Sequence, residues 1–133
     1  YDSNKKELLL SNAGHEPPLV IDKEQKFSNF SEAGPPLGIT SKIKYKETTT
    51  NFSNSSMYIF TDGITEIKSP SGDMLEVEGF QKYIKKYQHT PNNKRLKLMI
   101  EDIVKAGMIQ KDDLTIVTVD SVQWQNLWAL LQY

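Results

Sequence analysis

At 133 residues with a formal net charge of −1, the chain is long enough for one domain with a modest core, and it lacks the basic excess that holds nucleic acid. With no cysteine, disulfide staples, cysteine-ligated zinc and thiolate nucleophiles are excluded, which fits a cytoplasmic setting, and two histidines (His15 and His89) are too few for a three-histidine zinc site. The longest apolar run, 127–131, is far too short to cross a bilayer, so no transmembrane segment is read, and hydrolytic chemistry is left to carboxylates, hydroxyls and lysines.

Glu7 to Asn12 and Leu19 to Asp22 read as short strands joined by Ala13-Gly14-His15-Glu16-Pro17-Pro18, a turn whose glycine permits positive φ and whose prolines forbid a ladder. Lys23 to Glu32 is polar and loop-like, and Gly34-Pro35-Pro36-Leu37-Gly38 is a second rigid turn. Lys42 to Thr50 alternates as a half-exposed strand does. Met57 to Thr61 is continuously apolar and reads as a buried strand, ending abruptly at Asp62-Gly63.

The period then becomes helical. Phe80, Tyr83, Ile84 and Tyr87 form one apolar stripe; Leu96, Met99, Ile100, Ile103 and Val104 form a second, with Thr90 as cap, Pro91 at the first position and Gly107 as closure. Leu114 to Val119 reads as a returning buried strand. Strands joined by short turns, then helices, then a strand, define an α+β chain with antiparallel sheets and flanking helices. The tail, 121–133, spaces Trp124, Leu127, Trp128 and Leu131 helically; it is read as a helix packed on the domain, as cloning-derived sequence, or as a partner-docking helix.

Asp62 ends one strand and Asp112 precedes another, so antiparallel pairing of these strands would bring both carboxylates to one end of the sheet. Such carboxylates repel unless a cation lies between them, and oxygen-only ligation suits Mg²⁺ or Mn²⁺. Glu66, four residues after Asp62, lies one helical turn away. The opposing reading is that all three are solvated turn or cap residues.

Four segments resemble the SpoIIE/RsbU branch of the metal-dependent (PPM, type-2C) serine/threonine phosphatases. They are Asn12-Ala13-Gly14-His15-Glu16-Pro17-Pro18-Leu19, Gly34-Pro35-Pro36-Leu37-Gly38, Tyr58-Ile59-Phe60-Thr61-Asp62-Gly63-Ile64-Thr65-Glu66 and Asp112-Asp113-Leu114-Thr115-Ile116-Val117. Each is short, but they stand in the family's order and cover about Glu7 to Asp120. The resemblance implies a PPM-like α-β-β-α sandwich, incomplete here at its N-terminal side, with 1–120 as the C-terminal part of the phosphatase domain. It implies a two-metal Mn²⁺ or Mg²⁺ centre, a metal set of Asp62, Asp112, Glu66 and Gly63, and His15, Gly14 and Asp113 as residues shaping the site. It further implies in-line attack of a metal-activated water on a phosphoserine or phosphothreonine, with an anti-sigma-factor antagonist as the phosphoprotein substrate in a bacterial signalling pathway.

Relatives place another metal-bridging aspartate beside a glycine upstream of the Asn12 segment. Here eleven residues precede Asn12, Asp2 lacks a glycine neighbour, and Gly72-Asp73 lies too late to serve. An isolated fragment of the fold would expose sheet edges that invite homodimerisation, and the missing ligand leaves open a non-catalytic, protein-interaction role for the same fold. A haloacid-dehalogenase-like mechanism is set aside, since Phe60 stands where its nucleophilic aspartate belongs.

Overall fold

The structure, a computed structural model, describes residues 1–28, 30, 33–40, 42–110 and 112–121; the apolar tail residues Trp124 to Leu131 lie outside them. Six strands and two α-helices are described: β1 (Glu7–Ser11), β2 (Leu19–Ile21), β3 (Phe27–Ser28), β4 (Glu47–Asn51), β5 (Ser56–Phe60), α1 (Glu76–Tyr87), α2 (Asn92–Lys105) and β6 (Ile116–Asp120). One sheet pairs β1 with β4; the other runs β3-β2-β5-β6. The β1–β4, β2–β3 and β2–β5 pairings are all antiparallel, in keeping with the α+β expectation. The chain divides into two compact units, Tyr1–Ile59 with the segment from Thr118 onward, and Phe60–Val117.

In the first unit Leu8, Val20, Phe30, Phe52 and Met57 form the core, with Leu10 and Ile59 packed against it. The strand β3 falls in a stretch that reads as loop, because two residues are too few for a detectable alternation; its pairing with β2 comes from register, Val20 opposite Ser28. The β4 strand starts at Glu47, five residues later than its pattern indicates.

In the second unit α1 buries Phe80 and Ile84, and α2 buries Met99 and Ile103. The Phe80 ring meets Phe60 edge-on, with centroids 5.1 Å apart. Two residues depart from the apolar stripe expected of α2. Val104 is 65% exposed, being about 100° around the helix from Ile103, whereas Arg95 is buried, in the same four-residue row as Met99 and Ile103. The Arg95 guanidinium donates from Nε to the Thr90 carbonyl at 3.1 Å, so its stem packs while its polar head is satisfied. Thr90 makes no side-chain cap; Pro91 is the capping residue and Asn92 the first helical one.

Gly107 closes α2 as its position predicts. It adopts φ 72°, its N–H donates to Val104 O and the Met108 N–H donates to Ile103 O, the paired bonds of a Schellman motif. Gly107→Ala is therefore expected to cost about 1 kcal/mol, read as a lowered midpoint in urea with an unchanged slope.

Lys86 of α1 and Asp102 of α2 form an exposed ion pair at 2.6 Å. The hydrogen bond from Lys86 holds the Asp102 carboxyl below its ordinary range, and the same bond raises the Lys86 ammonium above its own. The contribution of Asp102 is present above its unfolded pKa and fades as pH falls through its depressed one. That of Lys86 is complete below its unfolded pKa and is lost as pH rises through its raised one. Asp102→Asn is expected to lower the melting temperature slightly at neutral pH and low salt, and not at acid pH or in high salt.

The β6 strand is less buried than a continuous β-branched run suggests. Val117 is 48% and Val119 41% exposed, because β6 lies at the end of the strand order and its residues alternate between half-buried and exposed.

Candidate metal-dependent phosphatase site

The candidate site of the second unit begins where β5 ends. The Thr61 N–H donates to Thr115 O at 3.1 Å, so the end of one strand lies beside the beginning of the next. The Thr61 hydroxyl then does two jobs: it accepts the Thr115 N–H at 3.1 Å and donates to Asp113 O at 3.1 Å. After Thr61 the chain turns through a short 3₁₀ segment, Asp62–Ile64. The Asp62 carbonyl anchors this turn, accepting the Thr65 hydroxyl and the Glu66 N–H, both at 2.9 Å.

Gly63 is buried against the facing backbone. A Cβ at this position would lie 2.3 Å from the Asp113 carbonyl oxygen and 2.9 Å from its carbonyl carbon. The residue type is thus dictated by close approach of two backbones, with no positive φ involved. Asp62 and Asp112 stand on either side of this junction, and both are exposed. The Asp112 carboxylate accepts the Asp113 N–H at 2.7 Å through Oδ1. Asp113 serves through its main chain: its carbonyl meets Thr61 and Gly63, while its side chain is at the surface.

Glu66 is exposed, and its backbone is tied to Asp62. Among the described residues no three Asp, Glu or His side chains gather into one metal-holding group, so Asp62, Asp112 and Glu66 do not form a closed cage. The donor chemistry nevertheless fits a hard divalent cation of the Mg²⁺ type, which is commonly held by one or two carboxylates and completes its shell with water and substrate phosphate. The Thr61 hydroxyl is a functional group that the sequence motifs do not single out. Its signal is a β-branched hydroxyl directly before an Asp-Gly at a strand end, where free backbone groups need partners.

The first unit holds the other two motifs, and they close on each other. Asn12 brackets its turn, with Oδ1 accepting the His15 N–H at 2.9 Å and Nδ2 donating to the His15 carbonyl at 2.8 Å. The His15 ring sits with Nδ1 3.0 Å from Glu16 O, which accepts only, so Nδ1 carries the proton. Gly14 has φ 86° and lies against the Pro36 ring, 2.8 Å from where its Cβ would be. The Gly34 N–H donates to Asn12 O at 2.8 Å. His15 and Gly14 therefore act in building this turn.

Two other aspartates are engaged in turns of their own. Asp2 accepts the N–H groups of Asn4 and Lys5, and Asp73 accepts the Ser71 hydroxyl at 2.6 Å while its N–H meets the Ser69 hydroxyl.

This architecture shares the fold of PP2C-type phosphatase domains. The chain belongs to the SpoIIE family: the family model described as Stage II sporulation protein E (SpoIIE) matches residues 1–121. Among solved structures it resembles the SiaA-PP2C domain of Pseudomonas aeruginosa, with a TM-score of 0.75 and 15% identity, over 91% of this chain and 49% of that one. It also resembles the phosphatase domain of the cell fate determinant SpoIIE from Bacillus subtilis, determined in a manganese-presoaked form, with a TM-score of 0.64 and 17% identity, over 96% of this chain and 56% of that one. At such identities the likeness is one of fold. Protein IcfG of Synechocystis sp. (strain ATCC 27184 / PCC 6803 / Kazusa) is 28% identical over 126 residues, 89% of this chain and 19% of that protein. The chain thus spans about half of the two solved chains and about a fifth of IcfG.

Proposed function

We propose that the protein carrying this chain is a metal-dependent phosphoserine/phosphothreonine protein phosphatase whose substrate is a small phosphoprotein of the anti-sigma-factor-antagonist kind. The observation that carries this reading is the Thr61–Gly63 turn, locked against Asp113 and Thr115 within a chain matched to the SpoIIE family along 1–121. Asp62 and Asp112 are the residues that would hold Mn²⁺ or Mg²⁺, with Glu66 the nearest further carboxylate in sequence and Gly63 setting the backbone approach. When bound, such cations lower the pKa of water and neutralise phosphoryl oxygens.

The chain's own part is positioning. Both aspartates spring from backbone fixed by short hydrogen bonds, so little ordering is left to be done when substrate arrives. Both carboxylates are exposed, and their oxygens can accept hydrogen bonds from a water that attacks phosphorus. Phosphate release from a phosphoserine peptide by the natural full-length protein tests the reading. Release is expected with Mn²⁺ and not with excess EDTA; no release under Mn²⁺ would sink it. A second reading, a non-catalytic interaction module, draws on the open donor set among the described residues. Partner binding that persists unchanged in EDTA and in Asp62→Asn would favour it.

A further inference from the structure

The family assignment gives no role to one surface of the first unit, the loop that closes on the Asn12 turn. Its base is tethered, since the Gly34 N–H is bonded to Asn12 O, Pro36 packs beside Gly14, and the Tyr45 hydroxyl donates to Pro35 O at 3.0 Å. Its tip nevertheless presents apolar side chains to solvent, with Leu37 76%, Ile39 68% and Ile43 36% exposed. Lone exposed apolar residues are ordinary; three on one tethered loop are a patch.

The same stretch is one-sided in charge. Between Glu32 and Glu47 there is no acidic residue, while Lys42 and Lys44 are both exposed, in a chain whose net charge is −1. Alongside lies a pocket of ≈ 230 Å³ with apolar walls from Leu10, Phe30 and Ile59, which suit an apolar side chain, and with His15, Glu16 and Lys46 in its polar lining. Ala13 lines this pocket and bridges to Gly34, so loop and pocket are continuous.

We propose that this loop and pocket form a docking surface for an acidic segment of a protein substrate, its carboxylates facing Lys42 and Lys44 and an apolar side chain entering the pocket. The proposal rests on the phosphatase reading and adds a basis for substrate choice. Charge complementarity argues for the acidic partner. Two lysines fall short of the clusters of about four to eight basic residues that mark an anionic membrane surface, which favours protein over lipid.

The natural full-length protein is to be titrated with a fluorescein-labelled phosphoserine peptide flanked by Asp, Glu and Leu, and with a twin carrying Lys for each acid. The acidic peptide is expected to bind about 10-fold or more tightly than its twin. Lys42→Glu with Lys44→Glu, and separately Leu37→Ser with Ile39→Ser, are each expected to erase about 10-fold of that affinity, with p-nitrophenyl phosphate hydrolysis unchanged. These side chains are exposed, so the core is untouched by either pair, and an unaltered melting temperature verifies it. Equal binding of the twins, or binding unaffected by both pairs, overturns the proposal. So does tighter binding to phosphatidylserine vesicles than to the peptide, lost with the same substitutions. A protein that binds the acidic peptide selectively yet hydrolyses neither compound under Mn²⁺ would refute the phosphatase reading and leave the docking surface standing.

Discussion

Asp62→Asn in the natural full-length protein is expected to reduce Mn²⁺-stimulated phosphate release by about 100-fold or more. Asparagine keeps the size and shape of the side chain and gives up the negative charge, which supplies most of a carboxylate's attraction for a divalent cation. The Asp62 side chain is exposed, and the 3₁₀ turn is held through its carbonyl, which the substitution leaves in place. Stability is accordingly expected to change by no more than about 0.5 kcal/mol, so lost activity cannot be ascribed to unfolding. Asp112→Asn should behave alike in activity and stability, because the asparagine Oδ1 can still accept the Asp113 N–H. Raising Mn²⁺ should partly restore a variant that has lost one ligand of several. A fully active Asp62→Asn protein would remove this residue from the site.

Gly63→Ala is expected to damage both fold and activity. The added methyl would sit 2.3 Å from a backbone carbonyl oxygen, and backbone cannot swing aside as the end of a lysine can. Either the Asp112–Thr115 segment moves outward or the 3₁₀ turn opens, and both disturb the three bonds that Thr61 makes to Asp113 and Thr115. Overpacking of this kind costs on the order of 3 kcal/mol, a large share of the total for a small domain. Denaturant unfolding would show a lowered midpoint, and phosphate release would fall even at temperatures where the protein remains folded. Wild-type stability in Gly63→Ala would mean that the two backbones do not approach as described.

Much of this is legible in the sequence, for identifiable reasons. Met57 to Phe60 has only apolar residues, so its strand shows through local composition, and the Phe80–Ile84 and Met99–Ile103 stripes carry the helical period directly. The aspartates at strand ends are visible because Asp-Gly and Asp-Asp interrupt apolar runs abruptly. The β3 strand is not legible, since two residues carry no period and its existence depends on a partner strand rather than on its own residues. The burial of Arg95 is hidden because residue type argues for the surface, and only the row it shares with Met99 argues otherwise. The exposure of Val117 and Val119 is equally hidden: composition reports what a strand could bury, while its place at the end of the sheet order decides what it does bury.

The hydroxyl of Thr61 has one proton to give and lone pairs to receive with, and it spends both on the opposite strand. One oxygen atom thereby sets the pitch between a segment that is finishing and one that is starting. Lineages of this domain could diverge widely elsewhere and keep that pitch with serine in its place. Valine, which has the same outline as threonine, would strand a carbonyl and an amide at once.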